Sequence, residues 1–203
     1  MILATNNKNK IREIKEILSN YEIQSLAEVN VTVDVLEDQN TFFGNASKKA
    51  KEIYEITKQP VIADDSGLCI KCFNDWPGVM THRFLGDNAT DRDRNLAIIE
   101  KMKDLHGDDR KASVICSLVF YDGVNMIEGK GILNGSIVIA PRGENGFGFD
   151  EIFEINDEIY NDSNVLNGKT LAELTAEEKN KVSARYLAAI DLKEKLSPIE
   201  GLK

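Results

Sequence analysis

Short apolar runs with the pattern of β-strands alternate along this chain with longer stretches in which apolar residues recur every three or four positions. The strand-like runs cover residues 1–5, 31–35, 60–63, 112–121, 124–129 and 131–140. The helical stretches lie around residues 8–18, 43–57 and 91–106. Such alternation predicts an α/β fold. Since the chain shows no repeat, linker or shift in composition, we expect one domain on a mixed sheet, whether undivided or split into two lobes.

Local signals indicate where several of these elements begin and end. Asp122-Gly123 predicts a tight hairpin turn, because Asp-Gly supplies the positive φ angles that such turns need. Gly107 suits the C-terminal cap of the 91–106 helix. Two successive capping-box patterns, Thr170…Glu173 and Thr175…Glu178, predict one short helix and then a longer one, with a break near Asn180.

Composition and charge narrow the classes of function. No apolar run approaches the roughly 20 residues that cross a bilayer, and the first residues lack the pattern of a signal peptide, which predicts a cytoplasmic protein without a membrane span. Three cysteines fit a reducing compartment. A net charge of −9 argues against binding to nucleic-acid polymers. It leaves room for a small polyanion held by a few lysines and a metal ion.

Three familiar motifs are present only in part. Cys69…Cys72 has C-x-x-C spacing, but no second pair exists, and we interpret both as structural residues of a strand. Gly168-Lys169-Thr170 resembles the end of a P-loop, but Ser163 stands where that loop needs glycine. The glycines of 143–150 follow another order than the dinucleotide fingerprint, and no G-x-S-x-G occurs.

The stretch Asp64-Asp65-Ser66-Gly67 carries the strongest chemical signal. It follows the strand-like run 60–63, and α/β proteins bind ligands at the carboxyl ends of strands. Because strand residues alternate in direction, we expect one of the two carboxylates to face the crevice. The structural alternative is an acidic turn. Glu37 could supply a second carboxylate, and magnesium typically binds one or two protein carboxylates together with substrate phosphates.

Two further segments have the residue types of a nucleotide site. Thr5-Asn6-Asn7-Lys8-Asn9-Lys10 is a strand-to-helix turn, where free backbone N–H groups and lysines can cradle phosphates. A solvated helix start is the alternative. The loop 143–150 places Phe147 and Phe149 among glycines, where a ring could stack on a base or simply pack within the loop.

Six segments of the chain together resemble one family, and they occur in that family's order. They are residues 5–10, residues 41–50 (Thr-Phe-Phe-Gly-Asn-Ala…Lys-Ala), residues 63–68 (Ala-Asp-Asp-Ser-Gly-Leu), residues 77–84 (Pro-Gly-Val…Arg-Phe), residues 146–153 (Gly-Phe-Gly-Phe-Asp…Ile-Phe) and residues 178–185 (Glu-Lys-Asn-Lys-Val-Ser-Ala-Arg). The family is that of the inosine triphosphate pyrophosphatases, which convert ITP, dITP or XTP to the monophosphate and pyrophosphate.

The resemblance implies a fold and a set of site residues. The fold is an elongated α/β domain over residues 1–203, with a central mixed sheet flanked by helices, or two lobes with the site between them. The partners are magnesium, a purine nucleoside triphosphate and a second copy in a homodimer. Asp65 would bind the metal and act as the base, with Glu37 as second ligand. The substrate would be held by Thr5, Asn6, Asn7, Lys8, Asn9, Lys10 and Lys49 at the triphosphate, by Ser66, and by Phe147, Gly148, Phe149, Asp150, Lys179 and Arg185 at the base.

Four residues depart from the family's pattern. Gly44 stands where glutamate is usual, Ala184 where histidine is usual, Glu151 where proline is usual, and His82 where a small residue is usual. Two alternatives therefore stay open. The chain could cleave another modified nucleotide, such as a modified pyrimidine, or it could be a nucleotide sensor without turnover.

Overall fold

A computed structural model describes residues 1–86, 88–156 and 166–198. The α-helices of this part are α1 (Lys8–Ile17), α2 (Phe42–Thr57), α3 (Asp91–Lys101), α4 (Ala176–Lys179) and α5 (Ala184–Leu196). The strands are β1 (Ile2–Leu3), β2 (Gln24–Ser25), β3 (Val61–Ile70), β4 (Trp76–Pro77), β5 (Lys111–Tyr121), β6 (Met126–Ile137) and β7 (Phe153–Ile155).

The strands form a seven-stranded mixed sheet, which confirms the predicted α/β class. Its order is β2-β1-β3-β5-β6-β7, with β4 paired to β3. β1 runs parallel to β2 and β3, with Ile2 opposite Gln24 and Val61, whereas β4 and β7 pair antiparallel with their neighbours. The chain divides into two compact units. The first contains Met1–Ser66, Cys116–Gly131 and the described residues from Ala184 onward, and the second contains the other described residues.

Helix α2 supplies much of the core of the first unit. Thr41 caps its N-terminus by accepting a hydrogen bond from the Gly44 N–H at 2.9 Å. Ala46, Ala50 and Ile53 recur at helical spacing and are fully or almost fully buried. They belong to one cluster with apolar side chains of β1, β3 and β5, namely Ile2, Val61, Ala63 and Val119. The predicted helix at 43–57 is therefore confirmed.

Helix α5 lies very close to β6 because two glycines of the strand leave room for its backbone. A Cβ at Gly129 would lie 2.2 Å from the Ala188 carbonyl oxygen, and one at Gly131 would lie 1.9 Å from that of Ala184. Between these glycines, the Lys130 N–H donates to Asp191 Oδ2 of α5 at 2.8 Å. Side chains at either glycine position would force the helix off the sheet.

In the second unit, a buried arginine joins the end of α3 to the end of β6. The Arg110 guanidinium donates to the carbonyls of Met102, Ile137 and Val138 at 2.6–2.7 Å and to that of Leu105 at 3.2 Å. Two of these carbonyls follow the last turn of α3, where backbone oxygens lack helical partners. Arg110 therefore replaces the glycine cap that the sequence suggested. Gly107 instead begins a short 3-10 helix, Gly107–Arg110, and α3 ends at Lys101 rather than 106.

Four of the predicted strands differ from those observed. β3 continues through Asp64-Asp65-Ser66-Gly67 to Ile70, so the acidic pair lies within a buried strand and not at its end. The runs 124–129 and 131–140 contribute to a single strand, β6, which begins at Met126 and ends at Ile137. No strand forms at 31–35; the alternating valines pack against the apolar core cluster instead of pairing with a neighbouring strand. A hairpin forms at Asp122, but its turn spans residues 122–125, and of these Gly123 alone has positive φ. The separation of α4 from α5 is as expected.

Both predicted capping boxes form. The Thr170 and Thr175 N–H groups each donate to a glutamate three residues later, at 2.7 Å. Thr170…Glu173 starts a 3-10 helix and Thr175…Glu178 starts α4. Cys69 is buried in β3, but Cys72 is exposed in the 3-10 helix Lys71–Phe73, so the expectation that both lie in a strand is wrong for Cys72. Ser163 lies outside the described residues.

Candidate active site

The neighbouring carboxylates of Asp64 and Asp65 are both buried but have different partners. Asp64 Oδ2 lies 2.8 Å from Lys10 Nζ and 3.6 Å from Arg185 Nη2. Burial alone would raise the pKa of Asp64, but the charges of Lys10, Arg185 and Lys49 outweigh it and hold that pKa well below its usual range. Asp64 therefore remains an anion that gathers three cations of the first unit.

The surroundings of Asp65 raise its pKa, whereas those of Asp64 lower the pKa of Asp64. Its Oδ2 accepts a hydrogen bond from Asn45 Nδ2 at 2.9 Å, and its Oδ1 accepts one from the Ser66 N–H at 2.9 Å. Burial is the main cause that raises the pKa of Asp65 to about 6; the Glu37 charge adds to it, and the Lys49 charge opposes it. A carboxylate with a pKa near neutrality, fixed by two donors, has the properties of a general base.

Lys49 contacts both the segment that carries Glu37 and the strand that carries Asp64 and Asp65. Its Nζ lies 2.6 Å from Glu37 Oε1 and also donates to the backbone carbonyl of Asp64. Burial tends to lower the pKa of Lys49, but the charges of Asp64, Glu37 and Asp65 raise it above its usual value. Lys49 is thus a fixed cation beside the candidate base.

The irregular segment that carries Glu37 is fastened to α2 at successive points. Lys48 Nζ donates to the Leu36 carbonyl at 2.8 Å and to Asp38 at 2.9 Å, and the Gln39 N–H donates to Asn45 Oδ1 at 2.9 Å. Lys49 holds Glu37 itself. The segment has no helix or strand of its own, and these side chains of α2 determine its course.

Glu37 and Asp65 fit magnesium by their donor chemistry. Both offer carboxylate oxygens, and the charge of Glu37 contributes to the raised pKa of Asp65, so a divalent cation would relieve repulsion between them. In the part of the chain that the structure describes, no three His, Cys, Asp or Glu side chains form a group that could hold a metal ion. Two carboxylates match magnesium, which keeps waters and phosphate oxygens as its other ligands.

The Thr5–Lys10 turn forms the N-terminus of α1, as expected, but part of its binding capacity is already used. Asn7 Oδ1 accepts from the N–H groups of Asn9 at 3.0 Å and Lys10 at 3.3 Å, and Thr5 Oγ1 accepts from the Asn7 N–H. Lys10 is buried against Asp64, whereas Asn6 and Lys8 are exposed. A phosphate could therefore meet Asn6 and Lys8 directly, but it would have to displace Asn7 to reach those two N–H groups.

Arg185, in the first turn of α5, is buried and joins α1 to β3. Its Nη1 pairs with Glu13, and its Nη2 donates to Ser66 Oγ at 3.3 Å. Burial works against its charge, but Asp64, Cys116 and Glu13 raise the pKa of Arg185 above its usual value. The predicted residues Ser66 and Arg185 are therefore in contact. Glu13 was missed, and no sequence pattern marks it.

In the second unit, the loop Phe147–Asp150 contacts Lys179 of α4, which brings the remaining predicted residues together. Asp150 Oδ2 accepts from the Phe147 N–H at 2.8 Å and from Lys179 Nζ at 2.6 Å. Lys179 Nζ lies 4.4 Å from the centroid of the Phe147 ring, a cation–π distance. Gly148 has φ +64°, which glycine adopts without strain, and the half-exposed Phe147 ring precedes it.

Asn45 is a second residue that the sequence reasoning did not assign to the site. It is fully buried and lies four residues before Lys49, on the same face of α2. That spacing was the available signal.

At Gly44, where the family usually has glutamate, a Cβ would lie 2.9 Å from Gln39 Cβ, so a larger residue there requires Gln39 to move. Ala184, where the family usually has histidine, is buried, with 2% of its surface exposed.

Comparisons with known proteins identify the family of this chain. The family model of the Ham1 family matches residues 1–195. The chain is 40% identical over 202 residues to a dITP/XTP pyrophosphatase of Clostridium tetani, which covers 97% of this chain and 95% of that protein. It is 42% identical over 199 residues to a dITP/XTP pyrophosphatase of Dictyoglomus thermophilum, covering 95% and 92%.

Solved structures agree as well. A HAM1 protein from Coxiella burnetii superposes with a TM-score of 0.83 at 35% identity, covering 97% of this chain and 98% of that one. In the described residues, no helix combines the length and the apolar character needed to cross a membrane.

Proposed function

The chain belongs to the Ham1 family, and on that premise we propose that it hydrolyses purine nucleoside triphosphates with non-standard bases, dITP, ITP and XTP, to the monophosphate and pyrophosphate. The observation that carries this proposal is the state of Asp65. It is a buried carboxylate with a pKa near 6, held by Asn45 and the Ser66 N–H and flanked by the fixed cation Lys49.

Asp65 acts as the general base. Above pH 6 it is mostly ionised, so it can take a proton from the water that attacks the α-phosphate. Lys49, Lys8 and the polar side chains of the Thr5–Lys10 turn bind the triphosphate and offset its charge. Glu37 and Asp65 would hold magnesium, which, when bound, supplies positive charge at phosphate oxygens as the bond breaks.

The base is recognised through the Phe147–Asp150 loop. The Phe147 ring offers a face on which any purine can stack, and Lys179 offers a donor. A donor suits the 6-keto oxygen of inosine or xanthine and meets the amino group of adenine poorly. We assign Arg185 a supporting part, because its contact with Ser66 holds that hydroxyl in place for the nucleotide.

A substrate panel with analysis of products tests the proposal. The protein is incubated with dITP, ITP, XTP, ATP, dGTP and a modified pyrimidine triphosphate, each with magnesium and with EDTA. We expect IMP and pyrophosphate from ITP, with magnesium, and a clear preference for 6-keto purines. Release of the diphosphate and orthophosphate would reject cleavage at the α-phosphate.

The same panel decides between the two alternatives. Preferred turnover of the pyrimidine would indicate another nucleotide hydrolase on this scaffold. Tight binding of ITP without pyrophosphate would indicate a sensor. Gly44 and Ala184 are the residues that suggest the sensor, but Asp65, Lys49 and Phe147 all keep the partners described above.

We further propose that the protein acts in the cytoplasm as a homodimer. The support is the family resemblance, together with the few cysteines, which fit a reducing compartment. Light scattering across a range of concentrations tests the dimer. A constant mass near 22.7 kDa would reject it.

A further inference from the structure

Helix α3 holds the Phe147–Asp150 loop through two side chains one turn apart. Asn95 is 2% exposed, and its Nδ2 donates to the Gly148 carbonyl at 2.8 Å and to Glu151 Oε1 at 3.0 Å. Asp91 Oδ2 accepts a hydrogen bond from the Gly148 N–H at 2.9 Å. Residues four apart share one face of a helix, so Asp91 and Asn95 act on the loop together.

These bonds fix the backbone on both sides of the Phe147 α-carbon. The peptide before Phe147 is held by its N–H to Asp150, and the next peptide is held by the Gly148 N–H to Asp91. The third peptide is held by the Gly148 carbonyl to Asn95. Because three consecutive peptide planes are each anchored by a side chain, the φ and ψ angles of Phe147 and Gly148 are both determined.

The N-terminal end of α3 is itself held in place by hydrogen bonds. Thr90 and Asp93 form a capping box, in which the Thr90 N–H donates to Asp93 Oδ2 at 2.8 Å and the Asp93 N–H donates to Thr90 Oγ1 at 3.1 Å. The N-terminal turn that carries Asp91 is thereby fixed. Glu151, which accepts the second hydrogen bond of Asn95, keeps the Nδ2 side of the amide turned to the loop.

We propose that Asn95 is a positioning residue for purine recognition: from α3 it presets the Phe147 ring in the orientation that stacks on the base. This inference rests on the proposed function and deepens it. In this role Asn95 acts through Gly148 and Phe147. A ring that is already ordered loses less freedom on binding, so the arrangement favours affinity more than the chemical step.

A double-mutant cycle with Asn95→Ala and Phe147→Ala tests the proposal. Affinity for a non-hydrolysable ITP analogue is measured by calorimetry, and kcat and KM are measured with ITP. Asn95→Ala should weaken analogue binding and raise KM by roughly tenfold, the scale of one or two lost hydrogen bonds, with kcat within about twofold. In the Phe147→Ala background, the same change should cost less than about twofold.

Two further variants sharpen the cycle. Asn95→Asp keeps the shape of the side chain but cannot donate when ionised, so it should behave like Asn95→Ala. Glu100→Ala, at an exposed position near the other end of α3, should change KM by less than about twofold. Equal losses from Asn95→Ala with and without Phe147, or a fall in kcat alone, would overturn the positioning role.

Amide hydrogen exchange gives a readout that does not depend on activity. In Asn95→Ala, the Phe147 and Gly148 amides should exchange at least about tenfold faster, while those of β6 keep their rates. Unchanged exchange at both amides would refute the proposal even if binding weakened. If the wild type binds no purine nucleotide, the proposed function fails, and the exchange rates alone then decide whether Asn95 orders the loop.

Discussion

One buried amide, that of Asn45, joins the candidate base Asp65 to the segment that carries Glu37. Asn45 Nδ2 donates to Asp65 Oδ2 at 2.9 Å, and Asn45 Oδ1 accepts from the Gln39 N–H at 2.9 Å. Asn45 is fully buried, so both ends of its amide need partners and both have one. The orientation of the base and the course of the Glu37 segment are therefore set by the same side chain.

Asn45→Asp should lower kcat by about tenfold to a hundredfold, the scale of a lost hydrogen bond to a charged group. An ionised aspartate cannot donate to Asp65 and places a like charge beside it. Asn125→Asp is the matched control, since Asn125 Nδ2 also donates to an aspartate, Asp122, but in an exposed turn. Steady-state turnover of ITP checks the prediction. Equal effects of the two variants would deny Asn45 a special role.

Asp65→Asn should make the metal-free protein more stable relative to the wild type, and this gain should be larger at neutral pH than at pH 4. The pKa of Asp65 rises from its usual value near 3.8 to about 6 on folding. As pH rises between these values, the unfolded chain loses this proton and the folded one keeps it, so the wild type loses stability until pH 6. The loss is on the order of 2–3 kcal/mol.

Urea denaturation of the wild type and Asp65→Asn at pH 4, 5, 6 and 7.5 measures this effect. The stability difference between them should grow in favour of the variant as pH rises, and then level off above pH 6. The exposed Asp104→Asn should give a small difference at every pH. A difference that is independent of pH would show that burial does not raise this pKa.

Arg110→Met should destabilise the protein by about 3 kcal/mol or more. Methionine has similar length but no donor, so the four carbonyls at the ends of α3 and β6 lose the hydrogen bonds that Arg110 donates. Arg12→Met, on the exposed side of α1, should change stability by about 0.5 kcal/mol or less. Denaturant melts compare the two, and a loss below about 1 kcal/mol for Arg110→Met would contradict the account.

Elements defined by local signals could be predicted from the sequence, and those defined by distant partners could not. The hairpin at Asp122 and the box at Thr175 depend on residues within three positions of each other. In contrast, the apolar run 60–63 predicts a strand that ends before Asp64 and Asp65. They stay in β3 because cations distant in sequence, Lys10, Lys49 and Arg185, surround them.

The residues of the site likewise divide into those that could be predicted from the sequence and those whose importance depends on distant partners. That Asp65, Lys49 and Ser66 belong together followed from the family resemblance, and the structure places them in one cluster of the first unit. Glu13 escaped notice because nothing in its own helix marks it; its significance comes from Arg185 of α5. Asn95 escaped likewise, since its partners Gly148 and Glu151 lie far along the chain.

Turnover of ITP by Asp65→Asn, with magnesium, tests the central claim most directly. Asparagine keeps the size of the side chain but cannot take the proton of the attacking water, so kcat should fall by at least about a hundredfold. Binding of a non-hydrolysable ITP analogue should change less, because Lys8 and Lys49 remain, and Asp104→Asn should turn over normally. Near-normal turnover by Asp65→Asn would contradict the assignment of Asp65 as the base.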